Sequence, residues 1–461
     1  MRFSSLKIEE ALDKLAKKFN IIVVENSVST DLEISSIVEK FDNTQYVVVF
    51  KKLQNYPNFI GVANLLNSRQ KLMYLLGVDS DEGLYRKILE AEEKCNGNII
   101  EVSTHDFKEV EIDLRKLPIA RYYPQEPCPY LTSGVVIGLL EKPDGTCVYN
   151  ASIHRLSVLD RDKLVIRLVP RHLYTIWSLN REQGKDTRVA IVWTINPVLL
   201  LAAACSPPFG VFELRLVEPL CGTAPKVFMY DGVLPVPVDA EIVIIGRILR
   251  DEVAKEGPFV DVLRLYDEVR LQPVVKVEKI LVRADRSYNF VHYLVPGLRE
   301  HQLLMGIEKE AKIWKFVKNV VPEVRAVRLT YGSGGWLHAV ISIRKNTDGD
   351  AKNAILAAFA AHPSLKHVVV VDEDIDVDDP SDVEWAIATR FRADRDLVVI
   401  NYVRGSTLDP SCIDPESGLT CKVGIDATCP IAEKQKFLKA RPHKTPEPST
   451  SIAQGINELI K

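Results

Sequence analysis

The stretch YNASIHRLSVLD, residues 149–160, alternates like a β-strand yet carries Asn150, His154 and Arg155 among its apolar positions. Strand side chains point to alternate faces, so Asn150 and His154 share one face and Arg155 points to the other. For Asn150 and Arg155 to serve one site, the strand must bend or bulge between them. A second stretch, EGPFVD, places Glu256 and Asp261 on either side of a Gly-Pro turn. Paired carboxylates that cannot both ionise comfortably separate into an acid and a base. The plainer alternative is a surface turn with solvated charges. Arg155 decides between the two if it lies between the acids, where its always-charged fork would grip a substrate carboxylate while a neighbouring acid delivers a proton. Otherwise it is a structural arginine tying a strand to a loop. Asn150, His172 and Glu213 offer an amide oxygen, an imidazole nitrogen and a carboxylate, a set compatible with manganese or magnesium but not diagnostic by spacing. A lone histidine at a helix start, as His172 is, is more commonly a cap or packing residue.

Other candidates are weaker. In VVVVDEDIDVDDP, residues 368–380, Asp372, Asp374, Asp376 and Asp378 would share a face if the strand continued. Uncompensated acids there read more simply as solvated protection of a strand edge than as a metal site. YGSGGWLH, residues 331–338, is a glycine-rich hairpin turn between strands and not a phosphate loop. No Walker motif, GxSxG elbow, HExxH or GxGxxG is present. Eight cysteines form no CxxC pair, and Cys412, Cys421 and Cys429 match no structural zinc spacing, so reduced thiols are expected.

These residues need a scaffold of several domains. The chain has 461 residues, 46% apolar and 26% charged, with 59 Lys and Arg against 62 Asp and Glu. That balance gives no footprint for nucleic acid and suits an ordinary folded protein of two or three domains. The run from Val198 to Cys205 is too short to cross a bilayer, and MRFSSLKIEEALDKLAKKF reads as an amphipathic helix with acids, not a signal peptide. No membrane association and a cytoplasmic location are expected. Residues 1–110 alternate helices with strands such as NIIVVEN and YVVVFKKL, a small α/β unit. Residues 111–295 hold many short strands, among them SGVVIGLL, TCVYNASI, RVAIVWTI, AEIVIIGRIL and KVEKILVRA, which predicts a barrel or sandwich. Two helices interrupt it, RHLYTIWSLNREQGK and PVLLLAAAC, the latter with Pro197 in its first turn. Residues 296–430 return to α/β order with strands VRAVRLTY, LHAVISIRK, HVVVVDED and DLVVINYV, and Asp379-Pro380 marks a helix start. Residues 431–461 form a proline-bearing linker and a short helix after Ser449 that should dock on its own subunit or a neighbour.

Taken in order, NASIHRL with PRHLY, FELRLVEPLCGTAP, VPVDAEIVIIG running into EGPFVD, VVVVDEDIDVDDPSDVEWAIATR, and GSTLDPS with KVGIDAT resemble the UbiD family of decarboxylases over essentially the whole chain. The resemblance implies an α/β fold of the α+β kind, a central split β-barrel that binds flavin, flanked by N-terminal and C-terminal α/β domains. It implies prenylated FMN, supplied by a UbiX-type flavin prenyltransferase, with a divalent metal, Mn2+ or Mg2+, and K+ near the phosphate. Carried over by position, Arg155, Glu256 and Asp261 resemble the catalytic trio, Asp261 as proton donor. Asn150, His172 and Glu213 resemble the metal ligands. Asn150, Ser152, Ile153, Arg155, Arg171, His172 and Lys422 would contact the cofactor, Lys422 at its phosphate.

Two departures stand out. Val260 occupies a position where the resemblance leads one to expect glycine, which would crowd the loop, and LRLVEPL lacks the usual alanine-glycine pair after Glu213. The implied reaction is reversible non-oxidative decarboxylation of an unsaturated or aromatic acid, a small-molecule carboxylic acid in either case. The C-terminal half looks like members that convert trans-anhydromevalonate 5-phosphate to isopentenyl phosphate. His154, Arg167, Arg171 and Lys422 are candidates for a substrate phosphate. A 4-hydroxybenzoate derivative is the second candidate substrate. A non-catalytic accessory subunit and a flavin-free metal hydrolase are readings from other classes. Such proteins commonly form homodimers or homohexamers, and the terminal helix would serve as an exchange arm.

Overall fold

A computed structural model describes residues 3–414 and 418–440. The helix expected after Ser449 therefore lies outside the described residues. The corner that the 149–160 stretch demands is present: strand Cys147–Ile153 stops, His154 and Arg155 carry no strand pairing, and strand Leu156–Asp160 begins. The first of these pairs with Val135–Glu141 and the second with Lys163–Ile166, so the chain changes neighbours at the corner. Both belong to one nine-stranded sheet. It runs from Tyr130–Leu131 and Leu156–Asp160, through Lys163–Ile166, Arg270–Arg283, Ile242–Glu256 and Thr187–Trp193, to Val135–Glu141 and Cys147–Ile153, and the ninth strand, Phe107–Val110, pairs with Arg270–Arg283 off this path. Sequence-adjacent strands thus sit near opposite ends of the sheet, which curls it into an incompletely closed, split barrel.

Glycine permits the curl at one tight contact. A Cβ on Gly246 would stand 2.2 Å from the Lys276 carbonyl oxygen, beside a register shift in the pairing of Ile242–Glu256 with Arg270–Arg283. The helix His172–Glu182 and the all-apolar helix Pro197–Ala204, with Asn196 capping Val198, form where the sequence places them.

Two α/β modules flank the barrel. The N-terminal sheet joins Ile21–Val28, Val47–Leu53 and Phe59–Ala63 to Asn289–His292, a strand that returns from beyond the barrel segment. The C-terminal sheet orders Glu323–Leu329, His338–Arg344, His367–Asp372, Leu419–Ala427 and Leu397–Arg404. Its strand Leu419–Ala427, which carries Lys422, was not among the strands read from the sequence, although its polar and apolar residues alternate as in a half-buried strand. A single apolar core runs from the helices Ile8–Ala16 and Asp81–Lys94 past Pro197–Ala204 to the helix Arg299–Lys318 and the C-terminal sheet. The modules are therefore packed as one body and not strung on linkers. Among the described residues no helix is long and apolar enough to cross a membrane.

The acidic run corrects one expectation. His367–Asp372 is an interior strand, and it ends at Asp372. Beyond it the chain turns, so the aspartates do not share a strand face. Asp372 and Asp374 bind the Arg390 guanidinium, Asp376 Oδ1 accepts from the Asp378 amide, and Asp378 binds Arg328. Asp372 is buried, Asp374 half-buried and Asp376 and Asp378 exposed, so the acids anchor a surface turn through arginines and do not guard a strand edge.

Candidate active site

At the barrel corner the Arg155 guanidinium faces the EGPFVD turn. Its Nε donates to Glu256 Oε1 at 2.9 Å, its Nη2 to Glu256 Oε2 at 2.7 Å, and its Nη1 to Asp261 Oδ2 at 3.0 Å. The ring of Phe259 lies 4.6 Å under the guanidinium carbon and packs against Tyr130. The Tyr130 hydroxyl accepts from the Gly257 amide, and Gly257 holds φ at 96°, which fixes the turn. Side-chain exposure separates the two acids: Glu256 is 0% exposed and Asp261 23%. Glu256 is thus a buried counter-charge, and Asp261 is the acid that a substrate can reach. Val260 lies extended in a two-residue strand, Phe259–Val260, paired with Tyr266–Asp267, and its buried side chain imposes no left-handed backbone. The GSGG turn braces this loop from behind, because Gly334 sits where any Cβ would strike Leu263 and the Val262 carbonyl.

On the neighbouring barrel face Asn150, His172 and Glu213 converge. Asn150 Nδ2 donates to Glu213 Oε1 at 2.5 Å, and His172 Nδ1 stands 3.7 Å from the same oxygen. The Ala151 amide donates to Glu213 Oε2 at 2.6 Å. His172 opens its helix without capping it; Arg171 is the N-cap residue and makes no side-chain cap bond. The Asn150 amide presents its nitrogen to Glu213 and its oxygen to Ser152; with the amide turned over, an amide oxygen, an imidazole and a carboxylate would meet at one point, a donor set of the kind that Mn2+ or Mg2+ takes. Ser152 Oγ lies 2.8 Å from Asn150 Oδ1 and 2.9 Å from His154 Nε2, while His154 Nδ1 lies 2.9 Å from the Arg167 carbonyl oxygen. His154 is thereby committed inside the strand corner, and burial pushes its pKa down to about 4. Ile153 is half-buried beside it.

Lys422 comes from the other wall, the C-terminal sheet. Its ammonium donates to the Pro363 carbonyl at 2.5 Å, and burial lowers its pKa to about 8. Next to it His362 is 4% exposed, and its Nε2 has no hydrogen-bond partner among the described residues. Burial, together with the positive charges of Lys309, Lys422 and Arg171, pushes His362 down to about 3. The Arg171 guanidinium makes no hydrogen bond or ion pair among the described residues. Lys309 also pairs with Glu308 at 2.5 Å, so Arg171 and Lys422 beside the orphaned imidazole are the cations of this cradle that carry charge suited to an anionic phosphate.

This cradle has a pH signature. A histidine whose folded pKa is depressed contributes full stability above its unfolded value near 6.5 and loses it as pH falls toward the folded value. Between pH 7 and 5 the flavin-free protein is expected to lose about 2 kcal/mol through His362 alone. Urea unfolding at the two pH values should show a slope to which the buried His154 and His338 also contribute, and His362→Gln should reduce the loss by about 2 kcal/mol.

Two neighbours of Arg155 were not found from the sequence. Asp267 Oδ2 accepts from Arg155 Nη2 at 2.8 Å, so the trio is a quartet. The only available signal was the Tyr266-Asp267 pair downstream of the turn, and nothing in the residue order said that it folds back onto Phe259. His301, on the helix Arg299–Lys318, accepts from the Gly297 amide through Nδ1 at 3.1 Å. Burial lowers its pKa, and the charges of Asp261 and Arg155 act on it from nearby. Of the four basic candidates for a substrate phosphate, only Arg167 stands beside Arg155; His154 is tied into the corner, and Arg171 and Lys422 belong to the cradle.

Comparison with known proteins bears on the whole chain. Family models described as the N-terminal, Rift-related and C-terminal domains of 3-octaprenyl-4-hydroxybenzoate carboxy-lyase match residues 12–92, 98–296 and 302–427. An anhydromevalonate phosphate decarboxylase of Aeropyrum pernix is 44% identical over 436 residues, 94% of this chain and 96% of that protein. Four further proteins of that name are 40% to 42% identical. The UbiD-class enzyme HmfF of Pelotomaculum thermopropionicum, in complex with FMN, superposes with a TM-score of 0.87 at 33% identity, covering 94% of this chain and 97% of that one. An evolved dimeric form of HmfF in complex with prFMN gives 0.85 at 32% identity, over 95% and 97% of the two chains.

Proposed function

The chain belongs to the UbiD family of carboxy-lyases, and on that premise we propose that it is a prenylated-FMN-dependent decarboxylase of trans-anhydromevalonate 5-phosphate. The observation that carries the substrate is the 44% identity to the Aeropyrum pernix decarboxylase over almost the full length of both chains. The arrangement of Arg155 between Glu256 and Asp261 supports the chemistry.

Prenylated FMN, when bound, supplies the electron sink for the pair left behind as carbon dioxide departs. The rest falls to this chain. Arg155 receives the substrate carboxylate, held charged and oriented by buried Glu256. Asp261, on the accessible side of the same guanidinium, delivers the proton to the carbon. Asn150, His172 and Glu213 would hold Mn2+ or Mg2+ beside the cofactor phosphate, with K+ near it, and Arg171 and Lys422 would neutralise that phosphate from opposite walls. Ser152 and Ile153 would line the cofactor's barrel side. The boundaries at residues 110, 295 and 430, a homodimer or homohexamer, cytoplasmic location and supply by a UbiX-type prenyltransferase complete the proposal.

Co-production with a flavin prenyltransferase should yield a protein that releases CO2 from trans-anhydromevalonate 5-phosphate and not from 4-hydroxybenzoate. Protein made without the prenyltransferase should release none. The reverse substrate preference would move the chain to the aromatic-acid branch. Flavin loading with no turnover of either acid would favour an accessory role.

A further inference from the structure

We propose that Asp267 is a positioning residue that closes the outer edge of the Arg155 fork and thereby dictates where a substrate carboxylate docks; the inference rests on Arg155 being the carboxylate receptor. A guanidinium has five N–H donors. In Arg155 four are engaged: Nε and one Nη2 hydrogen on Glu256, the other Nη2 hydrogen on Asp267, and one Nη1 hydrogen on Asp261. The one left is on Nη1, the nitrogen that Asp261 also holds. An incoming carboxylate therefore meets a single open donor next to the proton source, instead of a two-pronged fork that it could occupy in several ways. Without Asp267, Nη2 would be a second docking point competing with Nη1.

Asp267 is built for this task. The Tyr266–Asp267 strand pairs with Phe259–Val260, so the residue is set opposite Phe259, the ring beneath the guanidinium. Its Oδ1 accepts from Arg270 Nη1, and Arg167 Nε stands 4.0 Å from Oδ2, the oxygen that binds Arg155. Three guanidiniums thus converge on one carboxylate, which is 12% exposed. Burial works to raise its pKa, and the bonds to Arg270 and Arg155 outweigh it, so the group stays ionised. Arg270 holds the carboxylate from outside, and Asp267 in turn holds Arg155 from inside.

The test compares flavin-loaded wild type with Asp267→Asn and Asp267→Glu. Asparagine keeps one uncharged acceptor oxygen for the two guanidiniums that Asp267 binds through Oδ2 and Oδ1, so Arg155 Nη2 is held more weakly and can take the acid in unproductive poses while its attraction for the acid stays intact or grows. Asp267→Asn should therefore lower kcat by about 10- to 100-fold with KM unchanged or lower. Asp267→Glu, which restores the charge, should recover most of the rate. In parallel, phenylglyoxal should modify Arg155 several-fold faster in Asp267→Asn at equal flavin content, read by peptide mass spectrometry. Unchanged labelling overturns the proposal, as does a kcat within about twofold of wild type, or a raised KM with the glutamate variant equally impaired. If wild type releases no CO2 from any acid tried, the proposed function fails, and the labelling rates alone still decide the role of Asp267.

Discussion

Asp261→Asn is expected to lower kcat by about 10²- to 10⁴-fold while flavin and metal content stay at wild-type levels. Asparagine has the same shape, and its side-chain oxygen can keep one of two bonds, to Arg155 Nη1 or to the Val262 amide. What it cannot do is give up a proton. Asp261 is the reachable acid of the pair, and Glu256 has both oxygens committed to Arg155 and no exposure. Turnover by stopped assay, with flavin absorbance recorded on the same samples, separates loss of chemistry from loss of the site. A second proton-bearing group close to Asp261 is His301, whose Nδ1 is occupied by the Gly297 amide, which puts its proton on Nε2. A residual rate in Asp261→Asn that disappears in the double variant with His301→Phe would shift the donor role to the histidine. A rate within tenfold of wild type in the single variant would remove Asp261 from the mechanism.

The trio was legible through the family resemblance, because the residues alone left a solvated surface turn and a structural arginine open, and local rules then agree with it. A Gly-Pro turn needs a left-handed residue, and Gly257 at φ 96° supplies it, folding Glu256 and Asp261 toward one side. Arg155 and Asn150 sat on opposite faces of a nominal strand, and the only way to reconcile them was the bend that appears at His154 and Arg155. Helix start signals likewise placed Pro197–Ala204 and Pro380–Arg390, each with proline in its first turn, and His172–Glu182 also forms where the sequence puts a helix. Asp267 was hidden for the opposite reason. Its contact with Arg155 spans 112 residues and depends on a two-residue strand too short to leave a pattern. The aspartates at 372, 374 and 378 misled for a related reason, since alternation continued in sequence after hydrogen bonding had stopped, and their partners Arg390 and Arg328 lie on other elements. Distance along the chain, and not chemistry, set the limit.

The second large effect concerns how the flanking modules are held against the barrel, and it falls on Glu310. This residue, on the helix Arg299–Lys318, pairs through Oε2 with Arg69 of the N-terminal module, while its Oε1 accepts from the Leu329 amide at 2.8 Å. Tyr85, also N-terminal, donates to the Val327 carbonyl at 2.6 Å, and Arg328 Nη2 donates to Asp81 Oδ2 at 2.7 Å and to Asp378 Oδ2 at 2.9 Å. The N-terminal and C-terminal modules thus share one network of charges, and Glu310 and Arg69 are 3% and 9% exposed. Glu310→Gln leaves Arg69 with only the looser Asp81 contact at 3.3 Å as counter-charge. A buried guanidinium stripped of its partner costs about 3–5 kcal/mol, so the variant should unfold at markedly lower urea concentration. Replacing both partners at once, as Arg69→Met with Glu310→Leu, removes the stranded charge and should recover most of that loss. A double variant no better than Glu310→Gln would mean that the pair contributes net attraction across the module boundary. A single variant within about 1 kcal/mol of wild type would mean that water reaches the network and screens it. Because Asp261 and Arg155 lie on the barrel while Lys422 reaches in from the C-terminal sheet, a weakened network should also lower flavin retention at a given urea concentration before the barrel itself unfolds.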